Sequence, residues 1–222
     1  MKSFKALLYV LVVLGVLSVV FLLDIPTFMK IKRGQIKNYN SMESGSLEKG
    51  DPVSGTVDMA IGSCAEQYET KFGIRTSKDS SLQYFVLWME NDQLILYETG
   101  SKDEYNKLEK ISDETADYLN SLSEADESGD ADDIVLPTTT LEIEGVAKEV
   151  PDEIWGYFEE YYEDVFGDGK FSAYAEPLMI SRRAFSQFTG IVIAGLVCAV
   201  LFVIVGIVTL VLWRKSKRAA LY

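Results

Sequence analysis

The stretch Leu82–Leu122, LQYFVLWMENDQLILYETGSKDEYNKLEKISDETADYLNSL, decides the fold class. Its first half holds two runs rich in aromatic and branched residues, Leu82–Met89 and Gln93–Tyr97, separated by Glu90-Asn91-Asp92. A short polar turn between such runs predicts a β-hairpin. The second half opens on Ser101-Lys102-Asp103-Glu104, a capping box with Ser101 as N-cap and Glu104 three positions later. Tyr105, Leu108, Ile111, Thr115, Tyr118 and Leu122 then recur at helical spacing, which predicts a helix to about Leu122. A hairpin feeding directly into an amphipathic helix points to an α+β domain.

Toward the N-terminus, Val53–Ile61 alternates in part, with Val53, Val57, Met59 and Ile61 on one face. Tyr68–Thr76 reads as a second strand, although Cys64–Lys71 reads equally as a short helix. Toward the C-terminus, Ser123–Asp133 is acidic with no apolar residue larger than alanine and reads as a mobile loop. Ile134–Leu136 and Thr138–Val146 follow as strand material. Pro151 suits the first position of a helix running to about Phe166, which Gly167-Asp168-Gly169 would end before a strand over Lys170–Ile180. The order predicts one domain over residues 51–181, with a small curved sheet or partial β-barrel and two helices. An OB-like barrel is one candidate, because that fold also places a helix between its third and fourth strands.

This domain is bracketed by two long apolar runs, Ala6–Leu23 and Phe188–Trp213. Crossing about 30 Å of hydrocarbon takes roughly 20 apolar residues, and backbone in lipid must be helical to satisfy its own hydrogen bonds. Transmembrane helices are therefore expected at 6–23 and 188–213. A cleaved signal peptide is disfavoured for the first run, because bulky Phe21, Leu22 and Leu23 stand where small residues would be needed. Residues 24–50 read as a juxtamembrane stem and linker. Phe28, Met29 and Ile31 alternate there with Lys30, Lys32 and Arg33, and Ser41–Gly50 is small and polar.

Charge is segregated. All 34 acidic residues and 15 of the 21 basic ones lie in 24–187, a net of −19, while the tails 1–5 and 214–222 carry only basic charge. Positive charge favours the cytoplasmic side, so both tails are expected inside and the domain outside. A surface this acidic repels phosphate backbones, which argues against nucleic acid as a partner. The chain has no histidine, which excludes Ser-His-Asp and Cys-His catalysis and histidine-ligated zinc. With Cys64 the only cysteine in the domain, thiolate zinc sites and an internal disulfide are excluded too. A buried structural thiol is its expected state. Asp164–Ala175 fails the calcium-loop pattern, with Phe166 at its third position and Ala175 at its twelfth. Neither a metal nor a cofactor is expected.

Two groups of residues remain as candidates. On the helix after Pro151, Trp155 and Tyr157 accompany Glu159, Glu160, Glu163 and Asp164. An amphipathic helix with its acids in water explains them, and an acidic, aromatic-rimmed surface for a basic partner, peptide or glycan is the functional alternative. In the second apolar run Gly190, Ala194 and Cys198 recur every four residues, as do Gly195 and Ala199. Small residues at that spacing let membrane helices approach closely. The first helix, with Gly15 and Ser18, is the simplest partner; self-association or a third protein is the next.

The frame of a two-pass anchor, Leu47-Glu-Lys-Gly-Asp-Pro-Val53, Gly62-Ser-Cys-Ala-Glu66 and Ile111-Ser-Asp-Glu-Thr-Ala-Asp-Tyr-Leu119 resembles uncharacterised membrane proteins of clostridia-like Gram-positive bacteria, which carry a domain of unknown function between two helices. The resemblance implies a bacterial plasma membrane and brings no site residues. The expected function is a non-enzymatic two-pass membrane protein whose acidic extracytoplasmic domain binds or scaffolds another envelope component, with the lipid bilayer, an envelope protein or a second copy as partners. A histidine-free carboxylate-based envelope hydrolase and an accessory subunit of a transport or secretion complex are the alternatives.

Overall fold

The computed structural model describes residues 2–68, 70–71, 74–75, 80–128, 134–167 and 169–219. The chain divides into two compact units, one built from its two ends up to Arg33 and from Ala184, the other from Gly34–Arg183.

In the first unit, α1 (Lys2–Leu22), α2 (Ile25–Lys32) and α6 (Phe185–Ala219) are the helices, with Pro26 in the first turn of α2. Both long helices are long and apolar enough to cross a membrane. They pack antiparallel. Gly15 faces the Phe202 ring, Gly195 faces Phe21 and Leu22, and Gly206 faces Leu11. On α6 the contacts at Gly195, Phe202 and Gly206 share a four–three spacing with the buried Phe188, Val192 and Thr209 and the half-buried Ala199, the pattern of a coiled-coil-like seam. Exposure is inverted relative to a water-soluble pair. Val10, Val13, Val16, Ile193, Val197 and Val200 point outward, whereas Ser18 and Thr209 are buried and donate to their own helix's Leu14 and Val205 carbonyls. Such a surface suits hydrocarbon, where large aliphatic groups face lipid and small ones face protein.

The second unit is a mixed α+β domain on a seven-stranded sheet. Its strands are β1 (Lys37–Asn38), β2 (Pro52–Val57), β3 (Ala60–Gln67), β6 (Leu82–Trp88), β7 (Leu94–Thr99), β8 (Leu141–Glu149) and β9 (Ala175–Arg182), and Thr70–Lys71 pairs with Ile74–Arg75 as a separate β4–β5 ribbon. The order is β1-β2-β8-β9-β7-β6-β3. Among the described strand pairs of this sheet, only β1–β2 and β7–β9 are parallel. The sheet is larger than the small one expected, and its hydrogen-bonded order is open rather than a closed ring.

One connection forces it to curl. β2 is second in the order and β3 is last, yet Asp58-Met59 alone joins them. Three peptide steps span at most about 11 Å, whereas five strand spacings of a flat sheet would span about 24 Å. The sheet therefore bends round until β2 and β3 meet at this link, and the Trp88 amide donating to the Met59 carbonyl at 3.2 Å carries the β3–β6 ladder into the link.

Both faces of β6 and β7 are covered, which is why their sequences are nearly continuous apolar runs. Phe85, Leu87, Ile95 and Tyr97 meet Val53, Val57, Ile143 and Ile180 on the inner side, closed by Leu108 and Ile111 of α3 (Lys102–Ser128). Tyr84, Val86, Leu94 and Leu96 face outward and are covered by α4 (Asp152–Phe166) and the single turn α5 (Phe171–Tyr174). Polar groups fix α3 against the start of β3. Thr115 Oγ1 accepts from the Ala60 amide at 3.2 Å, and Ser112 Oγ donates to the Ile61 carbonyl at 2.7 Å. Gly62 is obligatory beside them, because its φ is +152° and a Cβ would sit 2.2 Å from the Tyr161 hydroxyl.

Several local expectations change. The segment read as stem and linker supplies α2, β1, a 3₁₀ turn at Tyr39–Ser41 and three core residues, Tyr39, Met42 and Leu47. Tyr39 is anchored by donating to the Trp88 carbonyl at 3.0 Å. Cys64 lies in β3, not in a helix. α3 runs past Leu122 to Ser128, and 129–133 of the expected loop lie outside the described residues. The first residues of the expected Lys170–Ile180 strand form α5 instead. The capping box is half made. The Glu104 amide donates to Ser101 Oγ at 3.5 Å, but the Glu104 carboxylate turns to the sheet, accepting from Tyr97 at 2.9 Å, from Thr99 at 2.8 Å and from the Arg182 guanidinium.

Residues 134–140 form no strand. Glu114 on α3 takes the Thr138 and Thr139 amides at 2.7 Å each and the Thr139 hydroxyl at 2.6 Å, so those donors never enter the ladder. These hydrogen bonds favour the charged form and hold the Glu114 carboxyl down at about 2. A depressed carboxyl stabilises the fold above its unfolded value, near 4.5, and the contribution disappears as pH falls toward 2. Glu114→Gln is therefore expected to lower the melting temperature at pH 7 and to match the wild type at pH 2. A melting-temperature difference independent of pH would refute the argument.

Candidate recognition surface

Helix α4 begins after Pro151 and ends where Gly167 adopts a left-handed φ of +63° and its amide donates to the Glu163 carbonyl at 2.9 Å. Its inner side is aromatic. Phe158 and Tyr162 are buried, and Phe171 of α5 is the hub between them. Ring centroids lie 4.9 Å from Phe171 to Phe158, 4.8 Å to Trp155 and 5.6 Å to Tyr162. The Phe158–Phe171 pair is edge-to-face at 89°, an arrangement the ring quadrupoles favour.

Of the sequence candidates on this helix, Trp155 turns inward, half-buried in that cluster. Tyr157 is exposed, its hydroxyl donating to Glu153 at 3.4 Å. Glu159, Glu160, Glu163 and Asp164 are all exposed, and among the described residues none forms an ion pair. No basic side chain stands in the last turn, where the helix dipole would favour one. The outer side of α4 is thus a one-sign surface carrying Tyr157.

Where the aromatic cluster opens to solvent, Trp88, Leu94, Tyr162, Phe166 and Tyr174 enclose a concavity of about 270 Å³ with Asp92 on its rim. Sequence reading missed this groove. Its signal was available in Trp88 and Asp92 flanking the hairpin turn, but their approach to α4 and α5 depends on tertiary packing. A larger polar concavity, about 370 Å³, lies between Glu66, Gln83, Lys102 and Tyr105. Its one carboxylate among the described residues, Glu66, accepts from the Tyr68 hydroxyl. A third, about 260 Å³, has Glu109 and Asp113, both on α3.

Cys64 donates to the Tyr84 carbonyl at 3.4 Å, and burial pushes its thiol up to about 12. Three pH units above an ordinary thiol leave roughly a thousandfold less thiolate at neutral pH. Cys64 is half-buried rather than buried, so the raised thiol is expected to slow maleimide labelling of the folded protein relative to the unfolded one; equal rates would contradict the shift.

In the helical unit the two small-residue rows separate. Gly195 lies in the α1 contact and Ala199 beside it is half-buried; a Cβ at Gly195 would stand 2.9 Å from Phe21 Cβ. Gly190 is exposed with open space where its Cβ would be, and Ala194 and Cys198 are half-buried. Gly195→Leu is expected to force α1 and α6 apart at a cost of about 1–3 kcal/mol. The check is disulfide formation between cysteines placed at Leu11 and Gly206 in a Cys64→Ser/Cys198→Ala background, which should fall sharply.

Two apolar helices bracketing an α+β domain define a class of membrane-compatible proteins built as helix, domain, helix. The chain belongs to the family of the domain of unknown function DUF8577, whose model matches residues 1–212. No curated protein and no solved structure matches it.

Proposed function

We infer that the chain is a two-pass protein of a bacterial plasma membrane, with both ends cytoplasmic. Its acidic domain faces outward and binds or scaffolds another envelope component without catalysis. The observation that carries this reading is the outer side of α4, a solvent-facing row of acids with Tyr157 on a helix whose own sequence holds no base. Such a surface suits a basic partner, and charge complementarity sets partner choice and encounter rate. Of the three concavities described above, and among the described residues, Glu109 and Asp113 are the only carboxylates that share one, and both stand on α3.

The curled sheet is an OB-type partial barrel in this reading. If β2 and β3 are taken as one bent strand, the ring is β3/β2, β6, β7, β9, β8. It has α3 after the third strand in chain order and β7 parallel to β9. OB folds take oligonucleotides or oligosaccharides across the outer side of their second and third strands. Those are β6 and β7 here, and α4 and α5, inserted between β8 and β9, cover that side. Recognition accordingly moves to the exposed side of α4, and nucleic acid stays disfavoured.

The test is a photo-crosslinking residue at Tyr157, with Val135, exposed on a different element, as the control. A discrete adduct from Tyr157 in native membranes, lost on Glu160→Lys/Asp164→Lys, is expected. Turnover of a cell-wall substrate that a single carboxylate variant abolishes would overturn the reading. Sidedness is read from a Val135→Cys variant lacking both native cysteines. An impermeant maleimide should label intact, wall-stripped cells, and labelling only after permeabilisation would put the domain in the cytoplasm. A second reading, an accessory subunit or homo-oligomer formed within the membrane, draws on the exposed Gly190 beside Ala194 and Cys198. Co-purification from gently solubilised membranes, with Gly190→Leu as the disrupting variant, tests it.

A further inference from the structure

We propose that the groove between Trp88, Tyr162, Phe166 and Tyr174 is a binding site for a methylated ammonium group. Four aromatic rings from three elements converge there: Trp88 from the end of β6, Tyr162 and Phe166 from the last turn of α4, and Tyr174 from α5. Tyr162 lies 4.8 Å from Phe166 and 6.4 Å from Tyr174, the latter nearly parallel at 23°. Aromatic walls attract a cation through their ring quadrupoles, most strongly when the cation sheds water easily.

The one charged side chain among the described residues that line the groove is Asp92, and none of those residues is a lysine or arginine. The C-terminal end of α4, with exposed Glu163 and Asp164 and no basic residue in its last turn, adds to the negative potential. The concavity, about 270 Å³, leaves ample room for a tetramethylammonium-sized group. A bare lysine ammonium fits less well, because it is strongly hydrated and would exchange that water for mostly aromatic walls. The acidic rim also disfavours carriers with an anion close to the cation, so choline should bind more tightly than phosphocholine or glycine betaine. This inference stands apart from the partner surface on the outer side of α4, and either can fail without the other.

The full chain in choline-free maltoside micelles is titrated with tetramethylammonium, reading saturation transfer from protein to the ligand's methyl protons. The neutral isostere 3,3-dimethyl-1-butanol is run beside it. Two variants keep the fold. Asp92 holds a φ of +62°, which asparagine adopts readily, and Phe166 is 38% exposed. Asp92→Asn is expected to weaken binding about fivefold and Phe166→Ala about threefold, with melting temperature unchanged. Choline should compete and phosphocholine should compete less. Absence of saturable transfer overturns the proposal. So does equal binding of the neutral isostere, which would mean an apolar groove only, or binding that neither variant alters.

Discussion

Phe158→Ala is expected to destabilise the domain by about 4 kcal/mol, and the damage should be confined to one side of the sheet. Phe158 is fully buried and makes edge contacts to Phe171 at 4.9 Å and to Trp155 at 5.9 Å. Its removal leaves a cavity under α4 that the rigid strands below cannot fill. The outer cluster holding Phe158, Tyr162 and Phe171 shares no residue with the inner cluster of Phe85, Ile95, Tyr97 and Ile111. Hydrogen exchange should therefore show α4 and α5 losing protection while the amides of β6 and β7 keep theirs. Uniform loss across the domain would mean that the two clusters unfold together and would refute this division.

The second large effect is expected at Glu104. Its carboxylate is the shared acceptor for Tyr97, which is wholly buried, for Thr99, 1% exposed, and for Arg182. Glu104→Ala strands two buried hydroxyls and should cost about 3 kcal/mol, whereas Glu104→Gln, which keeps an acceptor but not the charge, should cost about half of that. Burial and the neighbouring carboxylate both push the Tyr97 phenol up, so it remains a donor throughout the accessible pH range. Tyr97→Phe should recover about 1 kcal/mol in the Glu104→Ala background by removing an unpaired hydroxyl. Thermal unfolding of the four proteins gives the cycle, and a Glu104→Ala change below about 0.5 kcal/mol would show that water already satisfies the site.

These two residues also mark what a sequence reveals. The β6–β7 hairpin, the start of α3 and the whole of α4 were legible because turn chemistry, capping and periodicity are local signals. Glu104 was legible as a helix-start residue, but its real partners are a strand behind it and Arg182 at the far end of the domain. The capping box is thus a correct local signal with a different tertiary use. Residues 134–140 misled for a related reason, since Thr138 and Thr139 have strand propensity and spend their amides on Glu114. The stretch 34–50 looked like a linker because its core residues, Tyr39, Met42 and Leu47, are too sparse to show a period. Strand order was illegible except for the hairpin, because the joining of β2 to β3 across the curled sheet depends on pairings far apart in the chain. The acids of the candidate surface were readable from their exposure pattern on a helix. The groove at Trp88 needed three separate elements brought together.

The packing of α1 against α6 acts on the domain between them as well. The whole domain is an insertion between two helices that hold each other, so its unfolded chain is a tethered ring rather than a free coil. Closing a loop of about 150 residues removes denatured-state entropy worth about 5 kcal/mol near room temperature. A domain cut free of its helices would surrender that advantage while keeping every native contact of its own. Its resistance to unfolding is, in this sense, partly stored in the pairing of two helices that lie outside it.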